Sequence, residues 1–312
     1  MNILVTGGCG YKGHVLVPKL LDINCKVIVF DTQWFGNYLK PHQNLTLIKD
    51  DIRNITQSIF DDIDVVIHLA AIANDPCSEL DPKLSWEVGA LSTMRIADYA
   101  SKSSVQQFIY SSSGSVYGVK KEDDVTEDLD LDPISEYNKN KMVSERVLLS
   151  YKDKFSVQIV RPATVCGLSP RMRLDVAVNL LTMQALTKRE ITVLGGDQTR
   201  PNIHIDDITD LYIFLLRNKN ITGIFNAGFE NISIKNIAKS ISEVTSSNII
   251  YKDSNDPRSY RINSKKIESF GFKPKKNILN AIDEITEAYS KNNLADEDQY
   301  YNLKWMKNLG IF

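Results

Sequence analysis

Short apolar runs alternate with amphipathic stretches through the first half of the chain. The runs are Ile3–Val5, Lys26–Phe30, Thr46–Ile48, Val65–Leu69, Phe108–Tyr110 and Val157–Val160. Between the first two, Val15, Leu16, Leu20 and Ile23 have the spacing of one helix face. Strands that alternate with helices form βαβ units with right-handed crossovers. The pattern therefore predicts an α/β fold around a parallel sheet.

The pattern loosens after about residue 170. It predicts helices near 175–188, 206–218, 233–246 and 277–291, with short strands near 192–194, 202–205 and 223–226. No repeat or low-complexity linker divides the chain. We expect two lobes packed together, residues 1–170 and a smaller mixed α/β lobe of residues 171–312, with some of the second part crossing back to the first.

Composition excludes several classes of function. The 312 residues carry 37 Lys plus Arg against 39 Asp plus Glu, so no broad positive field exists to hold nucleic acid or an anionic membrane. The longest apolar run, 65–73, is far shorter than the roughly 18 residues of a membrane span. Met1 leads directly into the first predicted strand without signal-peptide features. We expect a cytoplasmic protein that binds neither nucleic acid nor membrane.

The four cysteines, Cys9, Cys25, Cys77 and Cys166, are scattered through the sequence. They form no CxxC pair and have no histidine at ligand spacing. We expect reduced thiols, and neither a disulfide framework nor a metal site.

A glycine-rich segment, residues 6–13, lies between the first predicted strand and the following helix. Gly7, Gly10 and Gly13 are spaced for a tight turn, and Gly8 completes a G-x-G-x-x-G pattern. Backbone without side chains at a helix N-terminus can approach a pyrophosphate closely. The segment predicts a dinucleotide cradle formed by Gly7, Gly10, Tyr11, Lys12 and Gly13.

Residues at the ends of the next strands fit the rest of a dinucleotide. Asp31 ends the second strand, 18 residues after Gly13, where a carboxylate can accept from both hydroxyls of an adenosine ribose. No Arg or Lys follows before Leu39 to neutralise a 2′-phosphate, which favours NAD over NADP. Further candidates for cofactor contacts are Asp51, Ile52, Leu69, Ala70 and Ala71.

Tyr137 and Lys141 are four residues apart on a helix predicted over 135–151. This spacing places the phenol and the ammonium on one helix face. A free phenol has a pKa of about 10, and a neighbouring cation favours its phenolate. The pair can therefore act as a general base toward a hydroxyl group.

Ser113 lies 24 residues before Tyr137, in a serine-rich segment over 111–118 that follows the fifth strand. With the glycine loop, the acidic residue and Y-x-x-x-K, this S-S-S-x-x-V-Y-G segment resembles the extended short-chain dehydrogenase/reductases, in particular the nucleotide-sugar epimerase/dehydratase branch. The resemblance implies a doubly wound Rossmann-type lobe that binds NAD and a second lobe for a nucleoside diphosphate sugar. It implies that Tyr137 is the base, that Lys141 lowers its pKa and holds the nicotinamide ribose, and that Ser113 positions the sugar hydroxyl.

The resemblance also implies contacts to the sugar nucleotide. Arg200 and Arg258 match positions where relatives use Arg against the diphosphate, and Asn179 is a further candidate on the nucleotide side. Relatives that are dimers imply a homodimer, in which the helices near 84–101 and 135–151 pair across a two-fold axis.

Departures from the family pattern reduce the number of reaction types that we expect. Dehydratases carry Asp-Glu after the catalytic hydroxyl residue, whereas this chain has Gly114 and Ser115, which disfavours loss of water. Gly89, Thr164 and Cys166 also differ from the residues that are frequent in the family at these positions. The sequence therefore does not identify the sugar.

We expect oxidation at C4 of the sugar, completed as a 4-epimerase or as a 4-dehydrogenase. The resemblance is closest to bacterial enzymes that build capsule or lipopolysaccharide sugars, including GDP-linked heptoses and deoxysugars. The alternatives are a 4-keto-sugar reductase and a non-catalytic NAD-binding regulator.

Overall fold

The computed structural model describes residues 1–254, 259 and 261–310. Its strands are β1 (Asn2–Thr6), β2 (Lys26–Asp31), β3 (Leu45–Lys49), β4 (Val65–His68), β5 (Gln107–Ser111), β6 (Ser156–Pro162), β7 (Thr164–Cys166), β8 (Glu190–Leu194), β9 (Thr199–His204), β10 (Gly223–Ala227), β11 (Glu230–Ser233) and β12 (Asn248–Lys252). Its helices are α1 (Gly13–Asp22), α2 (Asp75–Ser78), α3 (Pro82–Trp86), α4 (Ser92–Ser101), α5 (Glu136–Leu149), α6 (Ala177–Lys188), α7 (Ile205–Arg217), α8 (Ile234–Thr245), α9 (Lys265–Ser269), α10 (Ile278–Ser290) and α11 (Asn302–Asn308).

Seven parallel strands form the main sheet in the order β10-β6-β5-β4-β1-β2-β3. Alternate residues of β1 face opposite sides: Leu4 packs in one buried cluster with Ile96 of α4, and Val5 packs in another with Leu211 of α7. The order reverses direction between β1 and β4, which is where ligands bind in open sheets of this kind. The α/β fold and the doubly wound parallel sheet are confirmed.

The smaller lobe has its own strands and core. β9 pairs with β7 in parallel and with β11 antiparallel, and β12 pairs in parallel with β8. Helices α6, α8 and α10 enclose a third buried cluster that includes Val178, Ile237 and Ile282. No described helix is long and apolar enough to cross a membrane.

The chain returns to the main sheet after entering this lobe. β10 pairs with β6 from Gly223–Gln158 to Ala227–Pro162, and α7 packs against α1. Residues 205–227 therefore complete the sheet that residues 2–162 begin.

Candidate active site

A cavity of about 570 Å³ opens where β1, β2, β4, β5 and β6 end. Most of the residues that the sequence singled out line it, namely Gly7, Gly10, Tyr11, Lys12, Gly13, Asp31, Asp51, Ile52, Leu69, Ala70, Ala71, Ser113, Tyr137, Lys141 and Arg200. They come from seven separate segments of the chain. The fold thus joins the predicted dinucleotide cradle and the predicted catalytic residues in one space.

The glycine loop brings the ends of β1 and β4 into direct contact. Gly7 has φ of +72°, and a Cβ atom on it would lie 2.6 Å from the backbone nitrogen of Ala70. A side chain at this position would therefore both strain the backbone and separate the two strand ends. The next helix, α1, starts at Gly13 without a side-chain cap on its first turn, as an anion site at a helix N-terminus requires.

Asp31 lies beside this loop at the end of β2. Its carboxylate accepts from the backbone N–H of Cys9 at 2.9 Å and of Gln33 at 2.7 Å. Burial raises the pKa of Asp31, and the two N–H groups oppose that rise. The donors hold the carboxylate where the ribose hydroxyls of a dinucleotide on the loop would need an acceptor.

Asp51 and Ile52 line the same end of the cavity. Asp51 is held by Arg53, whose guanidinium lies 2.9 Å from it and 2.7 Å from Glu87. These pairs, with the buried side chain of Ile52, form a wall beyond the end of β3. The donor set and shape of the cavity fit a dinucleotide.

Tyr137 lies in the first turn of α5, which Ser135 fixes. The Ser135 hydroxyl accepts from the backbone N–H of Asn138 at 3.2 Å and donates to Asp75 at 2.6 Å. Lys141 follows one turn later, and its Nζ lies 5.8 Å from the centre of the Tyr137 ring. The ammonium and the phenol therefore share one face of the helix, as their spacing predicts.

Lys141 is almost fully buried and donates from Nζ to the carbonyl oxygen of Ser111 at 2.7 Å. Burial, with the charge of Lys12 as the second cause, lowers the pKa of Lys141 to about 7. Lys12 reaches the same residue and donates to its hydroxyl oxygen. Two ammonium groups thus meet on Ser111 at the end of β5.

Ser113 caps the 3-10 turn Gly114–Tyr117, and its Oγ lies 2.7 Å from Oγ of Ser115. Ser115 donates to the side-chain oxygen of Asn138. Because an amide oxygen only accepts, the proton between the two serines comes from Ser113. The Ser113 oxygen is thereby oriented as an acceptor within the cavity.

Two arginines that the sequence reasoning did not select also line the cavity. Arg173 pairs with Asp175 through contacts of 2.9 and 3.1 Å, and Arg171 stacks on the ring of Phe35 at 3.9 Å. Their signal in the sequence is the R-x-R-x-D spacing over 171–175, which places two cations beside one carboxylate.

The side chain of Asn179 is fully buried, and Asn179 is not among the residues that line the cavity. It accepts from the backbone N–H of Gly167 at 3.0 Å and donates to the Tyr11 hydroxyl at 3.1 Å and to the Arg173 carbonyl at 2.8 Å. These bonds join α6 to the glycine loop. Arg258 lies outside the described residues.

Comparisons with known proteins find relatives that match most of this chain. The NAD dependent epimerase/dehydratase family model matches residues 3–228. A putative UDP-glucose 4-epimerase of Methanocaldococcus jannaschii is 28% identical over 93% of this chain and 99% of its own. A UDP-glucose 4-epimerase of Lactobacillus helveticus is 26% identical over 88% and 92%.

Solved structures of other proteins are similar to this one over most of the chain. UDP-glucose 4-epimerase of Thermotoga maritima with UDP-glucose has a TM-score of 0.85 at 25% identity, covering 94% of this chain and all of its own. UDP-glucuronic acid 4-epimerase of Bacillus cereus, in complex with UDP-glucuronic acid and NAD, has a TM-score of 0.82 at 26% identity with the same coverage. The family model covers well over half of the chain, and its cofactor is the dinucleotide that the cavity fits. The chain is an NAD-dependent enzyme of the extended short-chain dehydrogenase/reductase type and belongs to the NAD-dependent epimerase/dehydratase family.

Proposed function

We propose that this enzyme oxidises the C4 hydroxyl of a nucleoside diphosphate sugar, as a 4-epimerase or a 4-dehydrogenase. The observation that carries the proposal is the placement of Tyr137 and Lys141 on one helix face, in a cavity shared with Ser113 and the glycine loop. A non-catalytic regulator has no need of this pair. A reductase would use the same residues in the opposite direction.

Tyr137 is the general base in this proposal. Its phenolate, favoured by the nearby Lys141 ammonium, takes the proton of the sugar hydroxyl. Ser113 accepts a hydrogen bond from a second hydroxyl of the sugar and so orients the ring, while the single proton of the C4 hydroxyl goes to Tyr137. NAD, when bound, takes up the hydride that leaves the sugar carbon. The protein supplies the base, its activating cation and the orientation of the sugar.

The substrate is proposed to enter between the main sheet and the smaller lobe. Arg200 lines the cavity from β9, and a guanidinium on that wall suits a diphosphate. Relatives whose names give a substrate act on UDP-linked sugars, so a UDP-linked hexose is the first substrate to test. A GDP-linked sugar and a role in capsule or lipopolysaccharide synthesis stay predictions from the sequence resemblance.

The geometry around Gly114 disfavours dehydration. A Cβ atom at this position would lie 2.4 Å from Cδ1 of Ile262 and 3.2 Å from the carbonyl oxygen of Pro162. A carboxylate side chain therefore has no room here unless Ile262 moves. Asp75 lines the cavity and could act as an acid, but it accepts a bond from Ser135. The product should keep every oxygen of the substrate sugar.

The test uses the purified enzyme with a panel of UDP- and GDP-linked hexoses, followed by mass spectrometry and sugar analysis of the products. Epimerisation changes the configuration at C4 without a mass change, and dehydrogenation lowers the mass by two hydrogens. A product lighter by one water would contradict the proposed reaction.

Tyr137→Phe tests the assigned base. The variant should bind NAD as the native enzyme does but lose about a hundredfold or more in turnover, because the hydroxyl proton has no acceptor. Lys26→Met, an exposed change in β2, serves as a control. Turnover of Tyr137→Phe within a few-fold of native would exclude this mechanism.

A further inference from the structure

Arg171 is a buried cation in the cavity wall that none of its hydrogen bonds neutralises. Its side chain is 2% exposed. Its guanidinium donates to the carbonyl oxygen of Met172 at 3.1 Å and to the side chain of Asn302, both uncharged, and its Nε has no hydrogen-bond partner within the described residues. A buried charge without a counter-charge is unfavourable unless a ligand supplies one.

The carboxylate of the same segment is already engaged by another residue. Asp175 forms its two short contacts with Arg173. Burial, followed by repulsion from Arg173, lowers the pKa of Arg171 to about 9. The segment 171–175 therefore carries two guanidinium groups and one carboxylate.

The position of Arg171 indicates which anion it serves. Its segment is tied to the glycine loop by the Ser169 hydroxyl, which donates to the Tyr11 carbonyl at 2.9 Å, and by the Tyr11 hydroxyl, which donates to the Gly167 carbonyl at 2.6 Å. Its guanidinium covers Phe35, and its charge is one of the influences that oppose the rise in the pKa of Asp31 caused by burial. Arg171 thus lies near the glycine loop and the ribose-binding carboxylate, at the dinucleotide end of the cavity.

We propose that Arg171 binds the diphosphate of the dinucleotide from the wall opposite the glycine loop. The loop offers backbone N–H groups and the start of α1 on one side, and Arg171 adds a charge-assisted donor on the other. The cofactor diphosphate is thereby held between two parts of the chain that are 160 residues apart in sequence. This inference rests on the NAD dependence of the family and not on the reaction proposed for the sugar.

The test measures binding to the full-length protein by titration calorimetry, without turnover. Arg171→Gln should lower the affinity for ADP-ribose, which contains the diphosphate, by about tenfold to a hundredfold. Adenosine, which lacks it, should bind the variant as it binds the native protein. Arg171→Lys should recover part of the ADP-ribose affinity, because it restores the charge without the planar donor.

Two further measurements separate this role from the alternatives. Asn302→Ala removes the neutral partner of Arg171 but keeps the guanidinium, so ADP-ribose affinity should stay within about threefold of native. An equal loss in Asn302→Ala and Arg171→Gln would show that Arg171 only anchors α11, and would overturn the proposal. Unchanged ADP-ribose affinity in Arg171→Gln would also overturn the proposal. If Arg171→Gln lost affinity for UDP and kept its affinity for ADP-ribose, Arg171 would be assigned to the substrate diphosphate.

Discussion

At the scale of single residues, Ser111 is the point where two cations of the site meet. Lys141 donates to its carbonyl oxygen at 2.7 Å, while Lys12 and Tyr212 donate to its hydroxyl. Glu145 already pairs with Arg161, which leaves Lys141 without an ion pair of its own in the described structure. Burial lowers the pKa of Lys12 to about 7, as it does for Lys141.

This arrangement predicts that NAD binding takes up protons above neutral pH. Both ammonium groups are protonated at pH 6 and lose their protons as the pH rises through about 7. A bound diphosphate favours their charged forms, so it raises both pKa values. Calorimetric titrations at pH 8, in two buffers of different ionisation enthalpy, should give different apparent heats, and titrations at pH 6 should not.

Lys12→Met should remove part of that difference, because one of the two groups that bind the protons is lost. Lys26→Met should leave it unchanged, since Lys26 is exposed at the start of β2. Identical heats in both buffers at pH 8 for the native enzyme would show that neither lysine changes its protonation on binding.

The contrast between Tyr137 and Arg171 shows which site residues a sequence can reveal. Tyr137, Lys141 and the glycine loop are defined by local spacing along one helix or turn, so they can be predicted from the sequence. Arg171 acquires its role from Phe35 and from the uncharged side chain of Asn302, which are distant in sequence. The hydrogen-bond partners of Asn179 could not be predicted for the same reason, because they depend on how α6 packs.

At the scale of elements, the helix predicted near 84–101 is divided. It consists of α3, a π-helical segment over Glu87–Leu91, and α4. A Cβ atom on Gly89 would lie 2.9 Å from the side-chain oxygen of Asn140, which accepts from the backbone N–H of Ala90 at 3.3 Å. The wider turn thus lets α5 approach closely, a requirement that helical periodicity does not contain.

The predicted strands of the main sheet are present within about two residues of their expected ends. β7, β11 and β12 were missed. β12 is largely exposed and pairs with β8 more than 50 residues earlier. Strands without a buried face carry little alternation, so their pairing depends on tertiary structure.

A buried ion pair connects α5 and β6 near the proposed catalytic residues. Glu145 and Arg161 are at most 2% exposed and lie 2.6 Å apart. Glu145 also accepts from the hydroxyl of Ser112, next to Ser113, and Arg161 donates to the Tyr117 hydroxyl at 2.7 Å. The pair thus holds both ends of the serine segment against α5.

Glu145→Gln should therefore lower the free energy of unfolding by about 3–5 kcal/mol, since it leaves the Arg161 charge buried without a partner. Turnover should fall as well, because the serine segment loses an anchor. Urea denaturation measures the first effect. Asp98→Asn, which breaks an exposed pair with Lys102 on α4, should leave the midpoint nearly unchanged, and a similar midpoint for both variants would contradict the assignment.

At the scale of the whole molecule, an exposed apolar surface adjoins the contact between α4 and α5. Leu91 and Met94 are 53% and 49% exposed. Solvent-facing apolar residues on a helix surface suit a two-fold contact, and the sequence resemblance implies a dimer through the helices near 84–101 and 135–151. We predict a homodimer that Leu91→Glu with Met94→Glu converts to a monomer. Light scattering at micromolar concentration measures this, and a native protein that is already monomeric would disprove it.

The return of the chain to the main sheet has a consequence for synthesis on the ribosome. β6 pairs with β5 on one side, and β10, residues 223–227, pairs with its other side. Until β10 has emerged from the ribosome, that side of β6 is an unpaired edge of the sheet. Such edges associate with other chains when they stay exposed. At roughly 5–20 residues per second, the interval between β6 and β10 lasts several seconds. Ribosome-bound chains ending near residue 200 should therefore recruit more chaperone than those ending beyond residue 260.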